Sequence, residues 1–317
     1  MPKQDPLIRQ TYNASLSGSG KTVKQHKQSA ESFVSAIRDV GLGVKSWENV
    51  TSKHLLAAVE KWKDDGLSTK TIHDKVSGVR QVAEAYGNDR LRTASTLIDP
   101  ETGERALEAR VYVTNEQKSL SDEARLEIQE RLRTEYIDKF DTGPRLAAQM
   151  QLARELGLRH EESRKFDLYR DVHGDRAFVN NGTKAGRDRF VPMTDGARDA
   201  IEVLKPFYDK TFGNTMPCRE ATWESRAYSA MHKVGMGREL DTGATFHGIR
   251  HTYAQERFEQ MTGFPCRVAG GTPELALERA GEGWQKLEQE ARDVLKAEMG
   301  HGPDREDVMS QYLGSKL

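Results

Sequence analysis

The sequence is poor in several things, and each shortage excludes a class of protein. Only two of the 317 residues are cysteine, Cys218 and Cys266, and they show no CxxC spacing. That argues against a disulfide-stapled scaffold and a cysteine-based metal site, and it suits a reducing cytoplasm. No apolar run approaches the ~18–20 residues of a membrane span. The opening MPKQDPLIRQ lacks the apolar core of a signal peptide. No membrane partner is therefore expected. Net charge is only −1, so the chain as a whole has no bulk positive field for nucleic acid.

What is present is length enough for one large or two medium domains and a highly polar surface, with 31% charged residues. The charge is divided unevenly. Residues 1–95 hold 15 Lys/Arg against 10 Asp/Glu, and the rest of the chain holds 33 against 39. A basic front part is either a solvated surface or a strip that follows a phosphate backbone, with Lys70 and Arg80 as candidate contacts.

Residues 1–20 are Ser/Gly-rich and read as a flexible start. SGSGKT at 17–22 is not a phosphate loop, because position 15 is Ser15 where that motif needs glycine, and no strand precedes it. Residues 19–22 read as a helix start. Three apolar stripes at helical spacing follow: Phe33, Ile37 and Val40; Leu55, Leu56, Val59 and Trp62; and Ile72, Val76, Val79, Val82, Ala83 and Tyr86. This predicts a small helical bundle over 21–95, then a polar linker over 96–113.

A second domain is expected over 114–317. Leu120, Ala124, Ile128, Leu132, Tyr136 and Phe140 recur every four residues. GPRLAAQMQLARELGL reads as the next helix, ending at Gly-Leu before Arg159. The period then changes, and Phe178–Val179 and Phe190–Val191 bracket a polar tip as a hairpin. Helices resume through Leu204–Phe207 and from Thr222 to His232.

Five short stretches then fall into order: LGLRHEE with Arg159, NGTKAGR with Lys184, FHGIRHTYA with His247 and Arg250, EMGHG with His301, and QYLG with Tyr312. Singly, each is weak; a lysine at a hairpin tip is usually just solvated. As an ordered set they resemble the tyrosine recombinase (phage integrase) family. The resemblance covers about 114–317, and the helical front fits that family's core-binding domain.

The resemblance implies a mainly α fold with a small β-hairpin or sheet, made of a helical SAM-like core-binding domain and an α+β catalytic domain around duplex DNA. It implies a site-specific recombinase that works as a homotetramer on DNA, with accessory DNA-bending proteins as further partners. No cofactor and no metal are implied. Arg159 and Arg250 would clamp the scissile phosphate with planar donors that stay charged. Tyr312 would be the nucleophile, His247 its proton acceptor, Lys184 the acid for the leaving oxygen and His301 a phosphate donor. Glu162 reads as a buttress for Arg159 or a nearby amide, and His251 as a buried neighbour. Arg187 and Arg189 flank the hairpin and either touch DNA backbone or are solvated. A type IB topoisomerase-like enzyme and a catalytically silent DNA-binding regulator are the alternatives.

Two features strain the pattern. His301 follows Arg250 by 51 positions, more than in many relatives, and the extra length at about 262–297 includes a helix-forming stretch, 273–298, with seven acids against four bases. That segment is expected off the DNA, as a packed flap or a protein contact. Only LGSKL follows Tyr312 here, which puts exchange of a C-terminal segment between protomers in doubt.

Overall fold

The computed structural model describes residues 5–113, 115–183, 186–237 and 244–317. The chain divides into two compact units, Met1–Val111 and Tyr112–Leu317.

The first unit is built on α1 (Pro6–Asn13), α2 (Gly20–Asp39), α3 (Ser52–Asp64) and α4 (Thr69–Glu84). Ser19 caps α2 by accepting a hydrogen bond from the Thr22 N–H at 3.2 Å, so residues 19–22 are indeed a helix start. The predicted stripes form the core, where Phe33, Ile37, Leu55, Val59, Val76, Val79 and Val82 are fully enclosed. Val40 is the exception: it stands at the end of α2, 46% exposed. Helices α2 and α4 cross closely at Gly78, where an added Cβ would lie 2.7 Å from Cβ of Ser29.

Two boundaries differ from the sequence expectation. From residue 5 onward the front of the chain is not loose. Leu7 on α1 is fully buried, its carbonyl accepts from Trp47 Nε1 at 3.2 Å, and Asp5 pairs with Arg38 at 2.8 Å. Only Leu7 and Thr11 of α1 are buried, too few to show as an apolar stripe. Much of the expected linker likewise belongs to this core: Leu97, Ala106 and Leu107 are buried in it, and Ile98 bridges to Arg105.

The second unit holds α5 (Asp122–Glu135), α6 (Thr142–Leu156), α7 (His160–Lys165), β1 (Val172–His173), β2 (Arg176–Val179), β3 (Arg189–Pro192), α8 (Asp195–Leu204), α9 (Glu220–Lys233), α10 (Phe246–Thr262), α11 (Pro273–Ala280), α12 (Trp284–Glu298) and α13 (Glu306–Leu313). The strands form one antiparallel sheet in the order β1-β2-β3, with Phe178 opposite Phe190 and Val179 opposite Arg189. Strand β1 has two residues, too few to leave a periodic signal. Helix α5 stops at Glu135 although the four-residue spacing runs on to Phe140. Asp138 accepts from the N–H groups of Phe140 and Thr142, both at 3.0 Å, which starts α6 instead. Helices α6 and α10 are buried on most sides and form the centre of this core. The 262–297 segment packs into the same core through Phe264, Cys266, Ala276, Trp284, Ala291 and Leu295. Of the two roles expected for it, the packed flap is the one its buried side chains adopt. Among the described residues, no helix is long and apolar enough to cross a membrane.

Candidate active site

Helix α10 starts at Thr245, whose hydroxyl accepts from the Gly248 N–H at 3.1 Å. Its first turn carries His247 at the surface and Arg250 inside, fully buried. A buried guanidinium must be satisfied by fixed acceptors, and three elements supply them. Nη1 donates to the Gly157 carbonyl at the end of α6, and Nη2 to the Met299 carbonyl at the end of α12. Nε donates to the hydroxyl of Tyr312 on α13 at 3.2 Å, and Nη2 lies 3.4 Å from Nε2 of His301.

Gly157 has a sequence-level reason. It ends α6 in the left-handed region at φ +59°, and a Cβ there would lie 2.4 Å from Cδ1 of Tyr253. That turn delivers Arg159 at the start of α7. Arg159 Nη1 donates to Glu162 at 2.6 Å and Nη2 to the Met299 carbonyl at 3.3 Å, while its side chain keeps 21% exposure. Gly300, at φ +65°, makes the corresponding turn after α12 and delivers His301.

Tyr312 is nearly enclosed, at 3% exposure. Its ring centroid lies 4.5 Å from His251, 5.4 Å from His247 and 5.9 Å from His301. Five of the six predicted side chains, Arg159, His247, Arg250, His301 and Tyr312, therefore meet around one point, although they come from three helices and one turn. Lys184 lies outside the described residues. Among the described residues no three His, Cys, Asp or Glu side chains gather as a metal site. The positive charge here comes from arginine.

The electrostatics follow from burial and neighbours. Burial alone would raise the Glu162 carboxyl, but Arg189, Arg250 and Arg159 outweigh it and hold it at about 2. Burial pushes the Arg250 guanidinium down to about 10, which leaves it charged at neutral pH. Burial, then the charges of Arg250 and Arg159, push His301 down to about 3, so it is a neutral imidazole with one N–H to donate. His251 is held at about 3, first by burial and then by His247.

The other candidates separate. Arg187 is exposed beside Gly302 on the rim of this site. Arg189 is neither a DNA contact nor solvated. It points inward from β3 and donates to both oxygens of Glu162 at 2.9 and 2.8 Å. The signal was the strand period, since Arg189 and Val191 share the buried face while Phe190 is outside. Lys70 is exposed in the first unit; Arg80 there is half-buried, its Nε donating to the Leu91 carbonyl at 2.9 Å. The carbonyls of Gly157 and Met299 carried no sequence signal as ligands for arginine.

The chain's last residues dock on their own domain. The Gly314 carbonyl accepts from Arg292 at 3.0 Å, the Ser315 N–H donates to Asn115 at 2.8 Å, the Lys316 carbonyl accepts from Arg267 at 2.7 Å, and the Leu317 N–H donates to Glu288 at 3.3 Å.

Two family models match: that described as "Phage integrase, N-terminal" over residues 9–92, and "Integrase" over 119–256. No curated protein sequence matches the chain. Among solved structures, a lambda integrase tetramer bound to a Holliday junction is similar at 18% identity and a TM-score of 0.56, over 98% of this chain and 78% of that one. The Tn1549 transposon integrase in complex with transposon right end DNA is similar at 14% identity and 0.53, over 98% and 94%. XerH site-specific recombinase bound to its difH substrate is similar at 12% and 0.52, over 90% and 75%. Fold and matched domains together define a site-specific DNA recombinase. The chain belongs to the tyrosine recombinase (phage integrase) family.

Proposed function

We propose that this recombinase cuts and rejoins duplex DNA by transesterification at Tyr312, and that it integrates or excises a mobile genetic element. The observation that carries the chemistry is the tyrosine hydroxyl held 3.2 Å from Nε of Arg250, with Arg159 and His301 on the same pocket.

Arg159 and Arg250 hold the non-bridging oxygens of the scissile phosphate, and the His301 N–H adds a third donor. Such preorganised donors stabilise the charge that gathers in the five-coordinate transition state, each by ~3–4 kcal/mol. The Tyr312 oxygen attacks phosphorus as its proton passes to His247. The bond from phosphorus to the 5′ oxygen breaks, and Lys184 supplies the proton that makes this a 5′ hydroxyl. The product is a 3′-phosphotyrosyl link that stores the bond energy, so rejoining to a new strand needs no nucleotide cofactor. Arg187 contacts the DNA backbone beside the pocket, and Lys70 and Arg80 do so from the first unit. Matched DNA-bound assemblies, including a Holliday-junction tetramer, support four protomers exchanging strands in pairs. The cytoplasm, on bacterial nucleoid DNA, is the expected setting.

A suicide DNA substrate built from the direct repeats that bound the element tests this. Wild type should accumulate a covalent adduct mapping to Tyr312. Tyr312→Phe should bind the same DNA and trap nothing. Adducts at Tyr312 on any sequence, with plasmid relaxation, would favour a topoisomerase, and no adduct at all a silent regulator.

A further inference from the structure

Arg189 has no part in that scheme, yet it is built into the floor of the pocket. Its guanidinium is sealed from solvent, with the residue 6% exposed. The two Nη groups grip Glu162 fork on fork, and Nε donates to the Glu298 carbonyl at 2.6 Å. The next carbonyl along, Met299, accepts from both Arg159 and Arg250. Strand β3, which carries the end of the hairpin, is thereby tied to the first turn of α7 and to the last turn of α12. Three guanidiniums cluster at the negative end of the α12 dipole and share one carboxylate, leaving the pocket two positive charges.

We infer that Arg189 is a positioning residue for phosphoryl transfer. It holds Glu162 by both oxygens and the end of α12 by a carbonyl, so that Arg159 and Arg250 keep N–H groups and net charge for the phosphate. Without it, Glu162 would cancel one of the two remaining arginines and would be free to turn toward either. This rests on the recombination chemistry proposed above.

The test is single-turnover formation of the phosphotyrosyl adduct at saturating protein, with the DNA dissociation constant measured alongside. Wild type is the control, and no adduct there would sink the proposed chemistry and leave this inference without a reaction to serve. With wild type active, Arg189→Met should form adduct about 100-fold more slowly while DNA affinity stays within about threefold, the scale expected when catalytic groups are misplaced by an ångström. The double variant Glu162→Gln/Arg189→Met restores two positive charges and should cleave about tenfold faster than Arg189→Met, a recovery of about 1.4 kcal/mol. A space-filling role for Arg189 gives no such recovery. Should Arg189→Met fail to fold, Arg189→Lys keeps the charge and loses the fork; it should cleave about tenfold more slowly at unchanged affinity. Wild-type speed in either single variant overturns the inference. So does affinity that falls in step with cleavage, or a double variant no faster than Arg189→Met.

Discussion

Glu162 offers the most quantitative test of the pocket. Its side chain is fully buried among three arginines, and its carboxyl sits at about 2 against an ordinary 4.5. A depressed folded pKa means that the charged form is favoured by folding. The stabilisation is complete above the unfolded value and is lost as pH falls through the folded one. The size of the shift corresponds to about 3 kcal/mol at pH 7, falling to about 1.5 kcal/mol at pH 3. Glu162→Gln keeps the shape and removes the charge. At pH 7 it should be less stable than wild type by about 3 kcal/mol, within the range for breaking a buried ion pair. The difference should roughly halve by pH 3, because the unfolded wild-type chain takes up its proton near 4.5 while the folded carboxyl, at about 2, stays charged. Urea unfolding of both proteins at half-unit steps from pH 7 to pH 3 measures it. A gap that stays constant over that range would show that the carboxylate charge is not what secures these arginines.

Four further variants have expected outcomes from the same structure. Gly157→Ala forces a Cβ into the ring of Tyr253 at a left-handed φ, and should cost about 2–4 kcal/mol in denaturant unfolding and slow cleavage by moving Arg159. His301→Ala removes a neutral donor and should slow adduct formation by about 10²–10³-fold. Because wild-type His301 sits at about 3, it stays neutral from pH 5 to 8, and the cleavage profile of a variant retaining a neutral donor, His301→Gln, should keep its wild-type shape over that range. Trp47→Ala empties a fully buried site in the first unit and should destabilise it by about 3–5 kcal/mol, read by thermal unfolding followed through the remaining tryptophans.

The long periodic helices were legible because burial and periodicity coincide in them. Phe33 and Ile37, or Ile72, Val76 and Val79, repeat at the spacing that one face of a helix requires. What escaped were elements whose placement comes from tertiary contacts: α1, anchored by Leu7 and by a side-chain pair 33 positions away, and the two-residue β1. In the site, residue types with unusual chemistry were visible in order along the chain, and five of them meet. The groups that hold them were not visible. A backbone carbonyl such as Met299 has no sequence signature, and Arg189 looked like one more charge near a basic hairpin. Its inward direction was available from the alternation of β3, but only a buried acid within reach makes an inward arginine affordable, and Glu162 lies 27 positions upstream. The phosphate-facing residues can be recognised by type because chemistry fixes type. The supporting shell is fixed by geometry, which many sequences can supply, so its members are found only once the chain is folded.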